Sequence, residues 1–185
     1  MKMESLQELY VEELRDIYDA EQQLVKALPK IAKAATSDSL RSLIEEHLDV
    51  TESQVERLGE IFEELGIKPK GGKCEAMRGL IDEATELIDA DADSEVLDVA
   101  LIMAAQKVEH YEIASYGCLR TFAELLEHEE QAETLQEILD EEKDADENLT
   151  ELAETNINLD AAESEEEEGD ESTASSSKDQ DSMRE

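Results

Sequence analysis

The sequence predicts an all-α fold: a four-helix bundle of two antiparallel hairpins joined by a crossover that carries a short fifth helix. Three observations predict it. Apolar residues recur at helical spacing along most of the 185-residue chain. The composition, with 39% hydrophobic and 37% charged residues, no Trp and only 2 Pro, favours long helices over a β sandwich. Residues 67–94 form a connection longer than an up-and-down bundle with short turns would need.

Leu6, Leu9, Tyr10, Leu14, Ile17, Leu24 and Leu28 mark a first helix over about residues 4–35. Pro29 falls inside it and predicts a kink, because proline removes one backbone hydrogen bond and crowds the preceding turn. Thr36-Ser37-Asp38 supplies a turn and a cap. The second helix carries Leu40, Leu43, Ile44, Leu48, Val55, Leu58, Ile61, Phe62 and Leu65 and stops at Gly66, a glycine C-cap. Lys68-Pro69-Lys70-Gly71-Gly72 reads as a loop, and a short helix from Glu75 to about Ile88 follows. The stretch from Asp89 to Ser94 breaks the pattern and caps a fourth helix, about Glu95 to Leu126. A turn at Glu127-His128-Glu129 leads to the last helix, which reaches about Thr155. Short turns make each hairpin antiparallel, and the long crossover lets the second pair return beside the first, as in ferritin-like bundles. The domain is therefore expected over residues 1–158. Residues 159–185 are acidic, lack an apolar period and are expected to be disordered.

The formal net charge is −36, from 52 acidic and 16 basic residues. Such a charge disfavours DNA, RNA and anionic membrane as partners. Residues 161–185 hold ten acids and two bases, so −28 belongs to residues 1–160. That pattern suits a halophilic surface, because molar salt shortens the screening length to about 3 Å. No apolar run approaches the roughly 20 residues that span a bilayer, and MKMESLQELY lacks the apolar segment of a secretion signal, so a cytoplasmic location is expected. Cys74 and Cys118 form neither a zinc framework nor a disulfide scaffold. Cys118 reads as a small apolar helix residue, and Cys74 sits just before a helix start, a position that can activate a thiol.

Six side chains of metal-binding type fall on the inward stripes: Glu21, His47, Glu109, Glu112, Glu142 and Asp146. Carboxylates rarely enter a core without a compensating positive charge, and few Lys or Arg are placed to supply one. A bound cation is the leading explanation. With the first turn near residue 36, Glu21 lies level with about residue 52, facing Thr51 and Gln54, with His47 about one turn away. With the second turn near 128, Glu112 lies level with about residue 145, between Glu142 and Asp146. Glu109 and Glu112 share one helical face. Structural readings stand beside these. Glu21 could pair with Arg15 or Lys26 at the bundle edge, His47 could be a hydrogen-bonded core histidine, and one of Glu109 and Glu112 could be solvated. A small helix rotation would release Asp146 to water. His110 and Tyr111 could support the ligands or simply pack, and Tyr10, Tyr18 and Tyr116 read as core filling.

The segments ELYVEELRDIYDAEQQLVKALPKIAKAA, HLDVTESQVERLGEIFEELG, CEAMRGLIDEATELI, QKVEHYEIASYG and LDEEKDADENLTELA resemble the YciF-type ferritin-like family of stress-associated helical proteins, over about residues 4–155. QKVEHYEIASYG and CEAMRGLIDE are the most specific of them. The resemblance implies a ferritin-like bundle, often a homodimer, with a dinuclear metal centre in prospect and no firmly established reaction. The chain departs from the usual di-iron pattern of one Glu on each of two helices and Glu-x-x-His on the others. Helix two offers Thr51-x-x-Gln54, and the last helix offers Glu142-x-x-x-Asp146. Neutral Thr and Gln oxygens are weaker ligands, which favours fewer charges, one metal instead of two, and chemistry other than classical oxygen activation. Three function classes follow: an iron- or manganese-binding stress protein acting on a small-molecule oxidant such as peroxide, a structural or interaction bundle without chemistry, and iron storage, which would require a multi-subunit cage.

Overall fold

The computed structural model describes residues 4–163. Five helices form in the expected order: α1 (Leu6–Ala34), α2 (Asp38–Glu64), α3 (Glu75–Ile88), α4 (Ser94–Leu125) and α5 (Glu129–Leu152). No strand occurs among the described residues. Ser5 caps α1 by accepting the Glu8 N–H at 3.2 Å, and Ser37 caps α2 by accepting that of Leu40 at 3.3 Å. α1 passes through Pro29 as one helix. Gly66 follows α2 with φ +65°, the left-handed backbone that a glycine adopts without a Cβ clash. At Gly71 the need is proximity, since a Cβ there would lie 2.7 Å from Arg15 Cβ.

The hairpins are α1 with α2 and α4 with α5, and α3 packs on α1 and α4, where a crossover helix belongs. Each inward stripe has helical period: Tyr10, Leu14, Ile17, Leu24 and Leu28 on α1 are buried, as are Leu101, Val108, Tyr116 and Leu119 on α4. Each buried leucine or isoleucine contributes roughly 1.5–3 kcal/mol, and these stripes meet in one continuous core. That core fixes helix rotation, and therefore which polar side chains are forced inward with it.

Asp98 pins the α1–α2 turn to α4. It is 2% exposed and accepts from Thr36 N at 2.8 Å, Thr36 Oγ1 at 2.6 Å and Ser37 N at 2.8 Å. At the far end Tyr10 donates to Gln131 at 2.9 Å, and Gln131 donates to Glu64 at 3.3 Å, joining α1, α5 and α2.

The last helix runs further than expected. After α5 comes a π-helical turn, Ala153–Ile157, and the helical backbone continues over residues 158–163. Ile157 and Ala161 are buried on the bundle, which gives this extension its reason to form. The start of the expected disordered tail is thus helical, and the rest of that tail, residues 164–185, lies outside the described residues. No helix among the described residues is long and apolar enough to cross a membrane.

Candidate metal centre

The rotation that buries Leu101, Val108 and Leu119 of α4 carries Glu109 and Glu112 inward, because all five lie within the same helical stripe. The same constraint turns Glu142 of α5 inward, leaving Glu141 at the rim. From α2 come His47, Thr51 and Gln54, and from α1 comes Glu21. Four of the six expected residues meet: ligand atoms of His47, Glu109, Glu112 and Glu142 all lie within 4.8 Å of one another. Atoms bound to one ion at about 2.1 Å stand roughly 3 Å apart as neighbours and 4.2 Å across, so only a small inward closure separates this group from a coordination shell.

Glu21 lies beside the four and is fully buried, with Oε1 accepting from the Tyr116 hydroxyl. Tyr116, expected only to fill the core, is therefore also a polar partner of the centre. Asp146 stands at the rim, where Oδ2 lies 3.2 Å from His110 Nε2 and Oδ1 accepts from Gln106 at 3.4 Å. Thr51 directs its hydroxyl to the His47 carbonyl at 2.8 Å, while Gln54 donates to Glu142 and, at 3.1 Å, to Glu141. Gln54 thus orients a carboxylate. Tyr111 belongs elsewhere: it donates to Asp16 at 2.7 Å and lies 3.0 Å from Cys74 Sγ, tying α4 to α1 and α3.

Arg57 is the residue that sequence reasoning missed. It pairs with Glu141, and its charge offsets a small part of the rise that burial causes in the proton affinities of Glu21 and Glu142. The available signal was its position three residues after Gln54, on the same face of α2. Both cysteines are free, and Cys118 lies on α4 as expected, with an exposed side chain. Cys74 is buried at the α3 N-cap, where burial pushes its thiol up and away from the reactive range, against the activation that its position allowed.

One guanidinium at the rim does not neutralise this cluster. Burial, followed by repulsion from Glu142, pushes Glu21 up to about 8. Burial pushes Glu142 up to about 7. Glu109 and Glu112 rise well above the usual carboxylate range, from burial first and negative neighbours second. Burial also lowers His47 to about 4, leaving the neutral imidazole that a metal requires. Glu109 Oε2, both oxygens of Glu112, Glu142 Oε2 and Glu21 Oε2 are buried with no hydrogen-bond donor from outside the cluster, and Glu21 faces Glu112 as Glu109 faces Glu142, carboxyl to carboxyl. Buried acceptors that converge on one point and have mainly one another as partners, with one neutral imidazole among them, fit a divalent cation of intermediate hardness.

Comparison with known proteins places this geometry in context. A family described as a domain of unknown function, DUF892, matches residues 5–162. Protein YciF of Escherichia coli (strain K12) is 47% identical over 159 residues, covering 85% of this chain and 96% of that protein. The crystal structure of the E. coli stress protein YciF is similar with a TM-score of 0.81, at 47% identity, over 84% of this chain and 99% of that one. YcfI, a proposed structural protein from Rhodopseudomonas palustris, matches with a TM-score of 0.78 at 46% identity, over 80% of this chain and 95% of that one.

Proposed function

Because the chain belongs to the DUF892 family and is a homologue of the stress protein YciF, we propose that it is a ferritin-like stress-response protein binding iron or manganese at the bundle centre. The observation that carries this is the convergence of His47, Glu109, Glu112 and Glu142, with buried carboxylate oxygens that receive no hydrogen bond from outside the cluster. Those four residues would hold the ion. Glu21 stands ready as a fifth or bridging carboxylate, which would admit a dinuclear centre, and Asp146 serves at the rim. Bound iron or manganese would supply redox chemistry toward a small-molecule oxidant such as a peroxide.

The chain's own groups prepare the centre. Tyr116 holds Glu21 Oε1, Gln54 holds Glu142 Oε1, and the surrounding leucines and isoleucines exclude water. Binding would release the protons that burial keeps on the carboxyl groups, so affinity would rise with pH. The proposal extends to a cytoplasmic homodimer. Val96 and Met103, both exposed and seven residues apart on α4, support such an interface.

Elemental analysis of untagged protein after anaerobic reconstitution tests the reading, with about one to two equivalents of iron or manganese per chain as the expected result. Less than a tenth of an equivalent would favour the rival reading, a structural bundle without metal chemistry. That rival is supported by the raised proton affinities, which favour the neutral form of the carboxyl groups and so lower the need for a cation.

A further inference from the structure

A small apolar pocket of about 40 Å³, partly open to the surface, lies where all five helices meet. It exists because Ala84 of α3, Ala104 and Ala105 of α4 and Ala145 of α5 present methyl groups where a leucine would fill the space. Hydrocarbon makes up almost all of its wall, and His47 and Glu109 are the polar residues that line it. The void therefore adjoins the candidate metal centre on one side and is otherwise apolar.

Size and polarity together select an occupant. A water molecule needs about 10–15 Å³ and two to four polar partners. This space has room for more than one water but offers polar partners only beside His47 and Glu109. Walls of this kind hold water weakly and favour apolar guests over it. A charged or strongly hydrogen-bonding molecule would leave its polar groups unmatched against the alanine and leucine wall. We propose that the cavity is a binding chamber for a small, uncharged, weakly polar molecule about the size of a diatomic gas, held against His47 and Glu109. The inference rests on the metal reading only for what such a molecule meets there. By this route a gas molecule is favoured over hydrogen peroxide.

Xenon is the probe, applied to the full chain with and without reconstituted metal and followed by xenon NMR. The wild type should show one saturable xenon site. Ala104→Leu should weaken it at least tenfold while leaving the helical circular dichroism and the metal content unchanged. Should that variant fail to fold, Ala84→Val narrows the same chamber from α3 and should weaken xenon binding several-fold. Absence of saturable xenon binding in the wild type, or equal binding in the wild type and a folded filling variant, overturns the proposal. A protein that binds xenon but takes up no metal on reconstitution would sink the reading of the centre and leave the chamber standing, whereas one that takes up metal but binds no xenon would do the reverse.

Discussion

His47 Nε2 lies 3.5 Å from Glu109 Oε1, and the two side chains are only 13% and 3% exposed. By distance this is an ion pair, but the proton affinities argue otherwise. Burial drives the imidazole down to about 4 and pushes the carboxyl group well above its ordinary range, so desolvation works against the charged form of both partners. At 3.5 Å the contact is loose, and both groups lose hydration. A divalent ion at the centre would favour the ionised carboxylates that burial opposes.

The metal-free protein should lose stability as pH rises. Glu21 and Glu142 have folded affinities of about 8 and about 7 against an ordinary value of 4.5, so the folded state binds more protons than the unfolded state. Their contribution is fully present below about pH 4.5 and is lost as pH climbs through 7 and 8. Melting temperatures of chelated protein between pH 5 and 9 should therefore fall, and reconstituted protein should fall less or rise. Parallel curves for the two forms would argue against a metal at these residues.

Glu112→Gln should act with opposite signs in the two forms. Both Glu112 oxygens are buried among the carboxyl groups of Glu21, Glu109 and Glu142, so removing the ionisable group should raise the melting temperature of the metal-free protein at pH 8. The same change should remove most of the gain produced by metal. For a ligand at 100 times its Kd that gain is about 2.7 kcal/mol, or roughly 5–10 °C for a chain of this size.

Asp98→Ala should destabilise the bundle whether or not metal is present. It removes three hydrogen bonds and leaves the Thr36 and Ser37 N–H groups without their acceptor. The expected loss is about 2–4 kcal/mol, measured by urea unfolding. Asp98→Asn, which keeps one acceptor oxygen, should lose less.

Stability should rise with salt, and truncation after Glu163 should leave most of that dependence in place. Residues 1–160 carry −28, spread over the helical faces, and potassium chloride screens that repulsion wherever it lies. A cut at residue 158 would be a poorer test, because it removes the buried Ala161. Unfolding midpoints of full-length and truncated protein across potassium chloride concentrations provide the measurement, and a salt-indifferent truncation would move the charge effect to the tail.

Helix period and punctuation were legible in the chain itself. Leucine and isoleucine spacing, Ser37, Gly66 and the Lys68–Gly72 loop determined five helices and a crossover, because local backbone preferences and burial of one stripe act at short range along the sequence. The same stripes identified Glu21, Glu109, Glu112 and Glu142 as inward carboxylates, since an α-helix cannot bury its leucines without burying the residues in register with them. Only tertiary packing decided which of them converge. The relative height of two helices depends on how side chains interlock across the bundle, and a shift of one turn moves a ligand by about 5 Å. That is why His47, Glu109, Glu112 and Glu142 meet while Asp146 binds His110, and why Arg57 emerged as the nearby cation only when α2 was set against α5. The helical extension beyond Thr155, over residues 156–163, was hidden for the same reason. Its apolar residues are few and small, and its order comes from seating Ile157 and Ala161 on a surface that exists only once the bundle has formed.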